Sequence, residues 1–336
     1  MKAIGYYTPL PITDERSLIE IELPDPKPMG RDLLVAVKAV SLNPVDAKQR
    51  AKTAPPAGEF KVLGWDASGV VLEAGPDVTL FKPGDQVWYA GSIARQGTNS
   101  ELHLVDERIV GLKPQSLDFA HAAALPLTSI TAWELLFDRL AVGKGAADSS
   151  LLIVGAAGGV GSILVQLARR LTNLTVIGTA SRPETTEWVK SLGAHYVIDH
   201  SQPLSSELRR IGIKNITHVA SLTQTDKHYM EIVECLAPQG KLGLIDDPSP
   251  IDVMQLKRKS LSLHWELMFT RSLYETPDMI AQHHLLSEVA ELVDAGTIRT
   301  TIGDHFGKIN AANLKRAHAL IESGKAKGKV VLEGFE

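Results

Sequence analysis

The stretch Leu151-Leu-Ile-Val-Gly-Ala-Ala-Gly-Gly-Val-Gly-Ser-Ile-Leu-Val-Gln-Leu-Ala168 constrains this chain more than any other. An apolar run, Leu151 to Val154, enters a glycine-rich turn. Apolar residues then recur at helical spacing through Val160, Ile163, Leu164, Leu167, Ala168 and Leu171. A buried strand, a glycine turn and a helix in this order form the local frame of a dinucleotide site. Ala156-x-Gly158-x-x-Gly161 fits the fingerprint with Ala in first place. Gly158 would let the backbone approach a pyrophosphate, and Gly161 would let the helix pack closely on the strand. Gly159 and Val160 open the helix, whose free N–H groups and positive dipole end suit phosphates. The alternative is a turn that serves packing alone. The glycines, Ser162 and Gln166 within the stretch argue against a membrane span.

The surroundings support a doubly wound α/β reading. After Leu151–Val154, strand-like segments follow at Leu174–Thr179, Tyr196–Ile198, Thr217–Ala220 and Gly240–Ile245, with a helical stretch at Glu184–Leu192. Such alternation predicts a parallel sheet with crossover helices. Before it the chain reads as β-rich, with strands at Leu33–Val40 and Gly69–Ala74 and turn signals at Pro24-Asp-Pro26, Pro55-Pro56 and Lys82-Pro-Gly-Asp85. Helices are expected at Asp118–Leu127, Ser129–Leu140 and Thr276–Ala295, and a last strand at Gly328–Leu332. With 336 residues, and about 150 per domain, two domains are expected.

Composition narrows the function classes. The net charge is −4, with 35 basic and 39 acidic residues and no long basic run, which argues against a nucleic-acid partner. A single cysteine, Cys235, excludes an internal disulfide and a four-cysteine zinc site, and points to a reducing compartment, the cytoplasm. The opening MKAIGYYTPLP lacks an apolar signal core.

Cofactor choice turns on the end of the second strand. A site for NAD places Asp or Glu there for the ribose hydroxyls. This chain has Ala180-Ser181-Arg182, with Glu184 slightly later. Arg182 can bind a 2′-phosphate by charge and Ser181 by a hydrogen bond, which favours NADPH. In the alternative, Arg182 is an ordinary loop arginine and Glu184 reaches the ribose. Further candidates sit at later strand ends, Leu222 within Ser221-Leu-Thr223 and Ile245 before Asp246, where open α/β sheets bind ligands.

Taken together, the motif order resembles the medium-chain dehydrogenase/reductase superfamily, especially its zinc-free quinone oxidoreductase branch. The resemblance spans almost the whole chain. It rests on Asn43-Pro-Val-Asp46, Gly64-Trp-Asp-Ala-Ser-Gly69, Lys82-Pro-Gly-Asp-Gln-Val87, Ala122 to Trp133, Gly155 to Gly161, Leu192-Gly-Ala-His-Tyr-Val-Ile-Asp199 and Gly240-Lys-Leu. It implies a Rossmann domain, residues 126–265, inserted into a GroES-like β-rich catalytic domain formed by 1–125 and completed by 266–336. It also implies a cleft between them and a homodimer or homotetramer.

Zinc enzymes of the superfamily use Cys, a His-Glu pair and a later Cys or Asp. Here Asn43 stands at the Cys position and Trp65-Asp66 replaces His-Glu. None of the 11 histidines has a metal-site spacing, so no metal is expected. Without a Lewis acid, reduction of quinones or α,β-unsaturated carbonyls by NADPH is the expected chemistry, because the substrate's own carbonyl stabilises charge after hydride addition. A zinc-dependent alcohol dehydrogenase or carbonyl reductase, and a low-turnover NADPH-binding sensor, are the alternatives.

By resemblance, Asn43 lies near nicotinamide and substrate, and Asp46 fixes its loop. Lys48 stands where many relatives carry Tyr, as a substrate-orienting group, a proton donor or a plain surface lysine. Trp65 lines the substrate pocket or belongs to the core. The resemblance places Thr128 near the nicotinamide end or the phosphates. It places His200 near the adenosine phosphate and Lys329 near a ribose phosphate.

Overall fold

A computed structural model describes residues 1–143 and 149–336. The chain divides into two compact units, Met1–Ile130 with Phe269–Glu336, and Thr131–Met268. The sequence reading draws these boundaries at 125 and 265.

The first unit opens with β1 (Lys2–Tyr6) and β2 (Ile19–Glu22), which pair antiparallel, followed by β3 (Asp32–Leu42). β4 (Lys61–Val62) returns to β1. β5 (Asp66–Ala74), β6 (Gln86–Tyr89), β7 (Leu102–Asp106) and β8 (Val110–Leu112) build a larger sheet around β3. The inserted unit then supplies six parallel strands: β9 (Ser150–Val154), β10 (Thr175–Thr179), β11 (Tyr196–Ile198), β12 (Ile216–Ser221), β13 (Leu236–Leu244) and β14 (Ser262–Trp265). The chain returns to the first unit with β15 (Ile302–His305) and β16 (Lys329–Glu333). β16 joins the edge of β3.

Register in the first unit sets up its polar centre. β3 lies between β16 and β5, so Leu42 opposes Val330 and Ser41 opposes Asp66. The end of β3, the start of β5 and the start of β16 therefore meet at one place. Beyond Leu42 the chain turns directly into the helix Pro44–Lys52, with Asn43 as its N-cap and Pro44 in its first turn, where the missing N–H costs nothing.

In the inserted unit the strand order is β11-β10-β9-β12-β13-β14. This is the doubly wound Rossmann order, with its reversal between β9 and β12. Helices Gly159–Leu171, Pro183–Ser191, Leu204–Arg210 and Thr225–Cys235 make the crossovers. Leu152, Val154, Ile177, Val219 and Leu242 pack with Tyr229 and Ile232 in one apolar core. Both sheet faces are covered, which is why the strands read as apolar runs without alternation. Cys235 is buried in this core, and burial pushes its thiol up to about 12, so it is a packing residue without thiolate reactivity.

The helix expected across Ser129–Leu140 is not uniform. Pro126–Trp133 is α-helical, and Glu134–Arg139 is wound as a π-helix. Glu134 is fully buried there, beside the equally buried Glu266 that follows β14. Arg139 Nε donates to Glu266 Oε2 at 2.8 Å. Burial, and the neighbouring Glu134 carboxyl, hold the Glu266 acid well above the usual carboxylate range. A carboxyl raised in the folded state stabilises fully below its unfolded value of 4.5, and that contribution is lost as pH rises above it. Glu266→Gln keeps hydrogen-bonding capacity without an ionisable group. It is expected to flatten the fall in melting temperature between about pH 5 and about pH 9, measured by calorimetry against the parent chain.

Candidate functional site

The glycine turn of the inserted unit takes shape from Gly155, which has φ of +84° and ends β9. The sequence fingerprint begins one residue later, at Ala156. Gly155, just before that fingerprint, is the left-handed position that needs glycine. A Cβ on Gly155 would also meet Thr223 Cγ2 at 2.8 Å. Gly161 is needed for a different reason. Its Cβ would lie 2.5 Å from Gly155 O and 2.6 Å from Ala156 Cα, so helix and strand touch there. At Gly158, the helix N-cap, a Cβ would meet only Gly155 O at 3.5 Å. Space above this residue is therefore open, and a side chain would fill it. Ala156 is buried, while Gly159 and Val160 form the half-exposed first turn. An open backbone cradle at a helix N-terminus fits the pyrophosphate of a dinucleotide.

A hydrogen-bond chain ties this turn to the next strand ends. Gly155 N–H donates to Thr179 Oγ1 at 3.1 Å. Thr179 Oγ1 lies 2.9 Å from His200 Nδ1. Thr179 Oγ1 thus joins the Gly155 backbone to the His200 ring. Burial lowers the His200 pKa, which keeps the ring neutral. Thr179 is a site residue the sequence reading missed; its position at the end of β10, before Ala180-Ser-Arg182, was the available signal.

Ser181 is exposed and Arg182 half-buried. Both line a cavity of about 410 Å³ with Glu187, Asp199 and Arg210. Arg182 Nε meets Glu184 Oε1 at 3.1 Å. Leu222 and Ile245 lie at the carboxyl ends of β12 and β13, half-buried. Between them Asp246 accepts from Thr225 N at 3.0 Å and Thr225 Oγ1 at 2.6 Å, which ties the β13 end to a helix N-terminus.

The second cluster lies in the first unit. Asp66 is 0% exposed and its carboxylate gathers four chain segments. Oδ2 accepts from Ser41 Oγ at 3.1 Å, Asn43 Nδ2 at 2.8 Å and Lys329 Nζ at 2.8 Å. Oδ1 accepts from Leu127 N at 2.8 Å. Lys329 Nζ also donates to Leu42 O at 2.8 Å and to Asn43 Oδ1. The three ammonium protons thus have three oxygen acceptors. Lys329, expected near a ribose phosphate, is 2% exposed, and its three protons are taken within this cluster.

Asp46 Oδ2 accepts from Asn43 N at 2.7 Å and caps the helix backbone. Burial pushes the Asp46 carboxyl up to about 7; Asp66 adds to this, while Lys329 and the N–H groups of Asn43 and Gly64 oppose it. Thr128 is buried, with Oγ1 donating to Leu125 O at 3.0 Å. It follows Leu127, the residue held by Asp66. Trp65 is fully buried, donates Nε1 to Ser92 O at 3.1 Å and meets the Phe269 ring edge at 6.1 Å. It takes the core position rather than a pocket wall. Lys48 is exposed on the helix and stands outside the buried cluster.

Zinc needs three or four N, S or O ligands around an open metal position. Here one carboxylate, one carboxamide and one carbonyl surround an ammonium, which would repel a divalent ion. This donor set does not fit zinc. Among the described residues, no group of three or more His, Cys, Asp or Glu side chains is gathered to hold a metal. Likewise, no helix among them is long and apolar enough to cross a membrane.

Comparison with known proteins places these features in a family. Residues 30–115 match the alcohol dehydrogenase GroES-like domain, and residues 192–332 match the zinc-binding dehydrogenase family. The chain is 39% identical over 336 residues to a zinc-type alcohol dehydrogenase-like protein of Staphylococcus aureus (strain MSSA476), covering 99% of each. It is 32% identical to the mitochondrial NAD(P)H oxidoreductase RTN4IP1 of Homo sapiens, over 90% of this chain and 81% of that protein. Among solved structures, a Rhizobium etli CFN 42 protein named for zinc-dependent alcohol dehydrogenase shares 62% identity and a TM-score of 0.97, covering 100% of this chain and 98% of that one. Escherichia coli quinone oxidoreductase complexed with NADPH shares 25% identity and a TM-score of 0.85, covering 99% and 100%.

Proposed function

Because this chain belongs to the medium-chain dehydrogenase/reductase superfamily and is an oxidoreductase with a nicotinamide cofactor, we propose that it reduces quinones or α,β-unsaturated carbonyls with NADPH, without a metal. The observation that carries this reading is the pairing of an open phosphate cradle at Gly158 with Ser181 and Arg182, and no acid, directly after β10. The solved relative complexed with NADPH supports the cofactor choice, and the misfit of the Asp66 cluster to zinc supports metal-free chemistry.

The cradle backbone binds the pyrophosphate, and the helix Gly159–Leu171 turns its positive end toward it. Arg182 and Ser181 hold the 2′-phosphate. Leu222 and Ile245 flank the dinucleotide at the sheet's carboxyl edge, and His200 supports its adenosine end. When bound, the reduced nicotinamide supplies a hydride to the carbon β to the substrate carbonyl or to the quinone ring system. The negative charge that then develops on the substrate oxygen needs a hydrogen-bond donor, which Asn43 provides. A proton from solvent, or from the exposed Lys48, completes the reduction, so one hydride and one proton are added in total.

The partner surface is part of the same proposal. β14 is an edge strand of its sheet, with Trp265 and Leu267 exposed in and after it, which supports a homodimer or homotetramer. The buried single cysteine suits the cytoplasm.

The Arg182–Glu184 pair favours one competing reading, in which Glu184 serves the ribose of NADH. Exposed pairs of this kind contribute only about 0–1 kcal/mol, so a 2′-phosphate can displace it. Arg182→Ala separates the readings. The expected result is a loss of NADPH affinity of about tenfold to a hundredfold, with NADH changed by less than about twofold, in fluorescence titrations. Equal losses for both cofactors would contradict it. Tight NADPH binding with no turnover across quinones, enones, aldehydes and alcohols would favour the sensor reading.

A further inference from the structure

The Asp66 cluster does more than join four segments, because it decides which way the Asn43 carboxamide faces. The oxygen and nitrogen of an amide are nearly isosteric, and only surrounding partners fix their order. On one side of Asn43 stands the Lys329 ammonium, which can only donate. On the other stands Asp66 Oδ2, which, when ionised, can only accept. Reversing the amide would set NH₂ against NH₃⁺ and a carbonyl against a carboxylate. Asn43 is 2% exposed, Asp66 0% and Lys329 2%, so solvent does little to screen that penalty.

Of the two Nδ2 hydrogens, one goes to Asp66 at 2.8 Å, and the other has no acceptor among the described residues. A buried N–H left unmade costs about 1–3 kcal/mol, so such a donor marks a place where a ligand or water oxygen completes the set. The backbone N–H of Asn43 is taken by Asp46, as in a capping box, so the open donor is the side-chain amide.

We propose that Lys329 is a positioning residue: with Asp66 it locks the Asn43 carboxamide so that one Nδ2–H is fixed as the donor to a substrate carbonyl oxygen. Its acceptor rests on the reductase reading above; the lock itself does not. Lys329 lies 286 residues from Asn43 in the chain, so the returning C-terminal strand completes this unit's donor site. Lys329 acts through Asn43 rather than on a phosphate.

The test removes both charges together, because either single variant leaves an uncompensated buried ion. In the double variant Asp66→Asn with Lys329→Met, the NADPH dissociation constant is expected to stay within about twofold, while kcat on an enone or quinone falls about a hundredfold, the scale of one lost oxyanion donor. Adding Asn43→Ala to the double variant is expected to change kcat little further, since the residues act as one unit. Independently of turnover, the Asn43 side-chain amide, assigned by its loss in Asn43→Ala, is expected to give one sharp pair of ¹H–¹⁵N resonances in the parent chain and to broaden or split in the double variant. A tenfold loss of NADPH affinity with kcat unchanged would overturn the proposal and make Lys329 a phosphate ligand. So would unchanged Asn43 resonances. A parent chain that reduces no acceptor, yet shows the resonance change, would defeat the reductase reading and leave the lock standing.

Discussion

Gly161→Val is expected to abolish measurable dinucleotide binding and to destabilise the inserted unit by about 3 kcal/mol, the upper range for overpacking. The new Cβ would fall 2.5 Å from Gly155 O and 2.6 Å from Ala156 Cα. Both neighbours are backbone, so neither can rotate away. Relief requires moving Gly155, whose φ of +84° shapes the turn and whose N–H holds Thr179. Strain at Gly161 therefore reaches the cradle itself. Gly158→Ala is the matched control. Its Cβ meets only Gly155 O at 3.5 Å, an ordinary contact, so the fold is retained. That methyl nevertheless occupies the space a pyrophosphate needs. The pair predicts two separable outcomes in denaturation and in NADPH titration: lost stability and lost binding at Gly161, lost binding alone at Gly158. Normal binding by Gly158→Ala would show that the cradle is not the phosphate site.

The second large effect is expected in the first unit. Lys329→Met alone leaves the Asp66 carboxylate buried without its counter-ion, and removal of one partner of a buried pair costs about 3–5 kcal/mol. Asp66 keeps its bonds from Ser41, Asn43 and Leu127, but these are neutral donors and do not cancel a charge in a dry site. Chemical denaturation of Lys329→Met is expected to show this loss. The double variant with Asp66→Asn is expected to recover most of it, because no isolated charge remains. A double variant less stable than Lys329→Met would mean that the pair contributes through packing and not through charge.

The two clusters differ in how far they can be read from the chain. The strand, turn and helix from Leu151 to Leu171 are local, and periodicity and glycine spacing expose them directly. Spacing alone does not reveal, however, that Gly155 just before the fingerprint adopts φ of +84°. The alternation that follows also translates into the observed parallel order, since each strand is covered on both faces. The Asp66 cluster is not local. Ser41, Asn43, Asp66, Leu127 and Lys329 meet only through the register of β16, β3 and β5, and no short-range pattern encodes that register. Resemblance pointed to Asn43, Asp46 and Lys329 singly, and it marked Asp66 as a substitution at a metal position, but did not join them. The helix Pro44–Lys52 has no counterpart in the sequence reading, because few apolar residues follow Asn43-Pro44 to mark a helical face. The helix predicted from Thr276 begins only at Ala281, since Asp278 is drawn to Arg271 and Thr276 by side-chain bonds that hold a turn there. The change to π winding at Glu134 accompanies a buried carboxyl pair, a tertiary feature that hydrophobic spacing cannot carry.

The most direct measurement follows nicotinamide absorbance with chelator-treated, metal-free protein, NADPH and a panel of quinones and enones, alongside simple alcohols with NADP⁺. Metal-free reduction of a quinone or an enone by NADPH, faster than with NADH and without alcohol oxidation, is the predicted result. Activity that vanishes on chelation and returns with zinc, with an alcohol as the preferred substrate, would contradict the account.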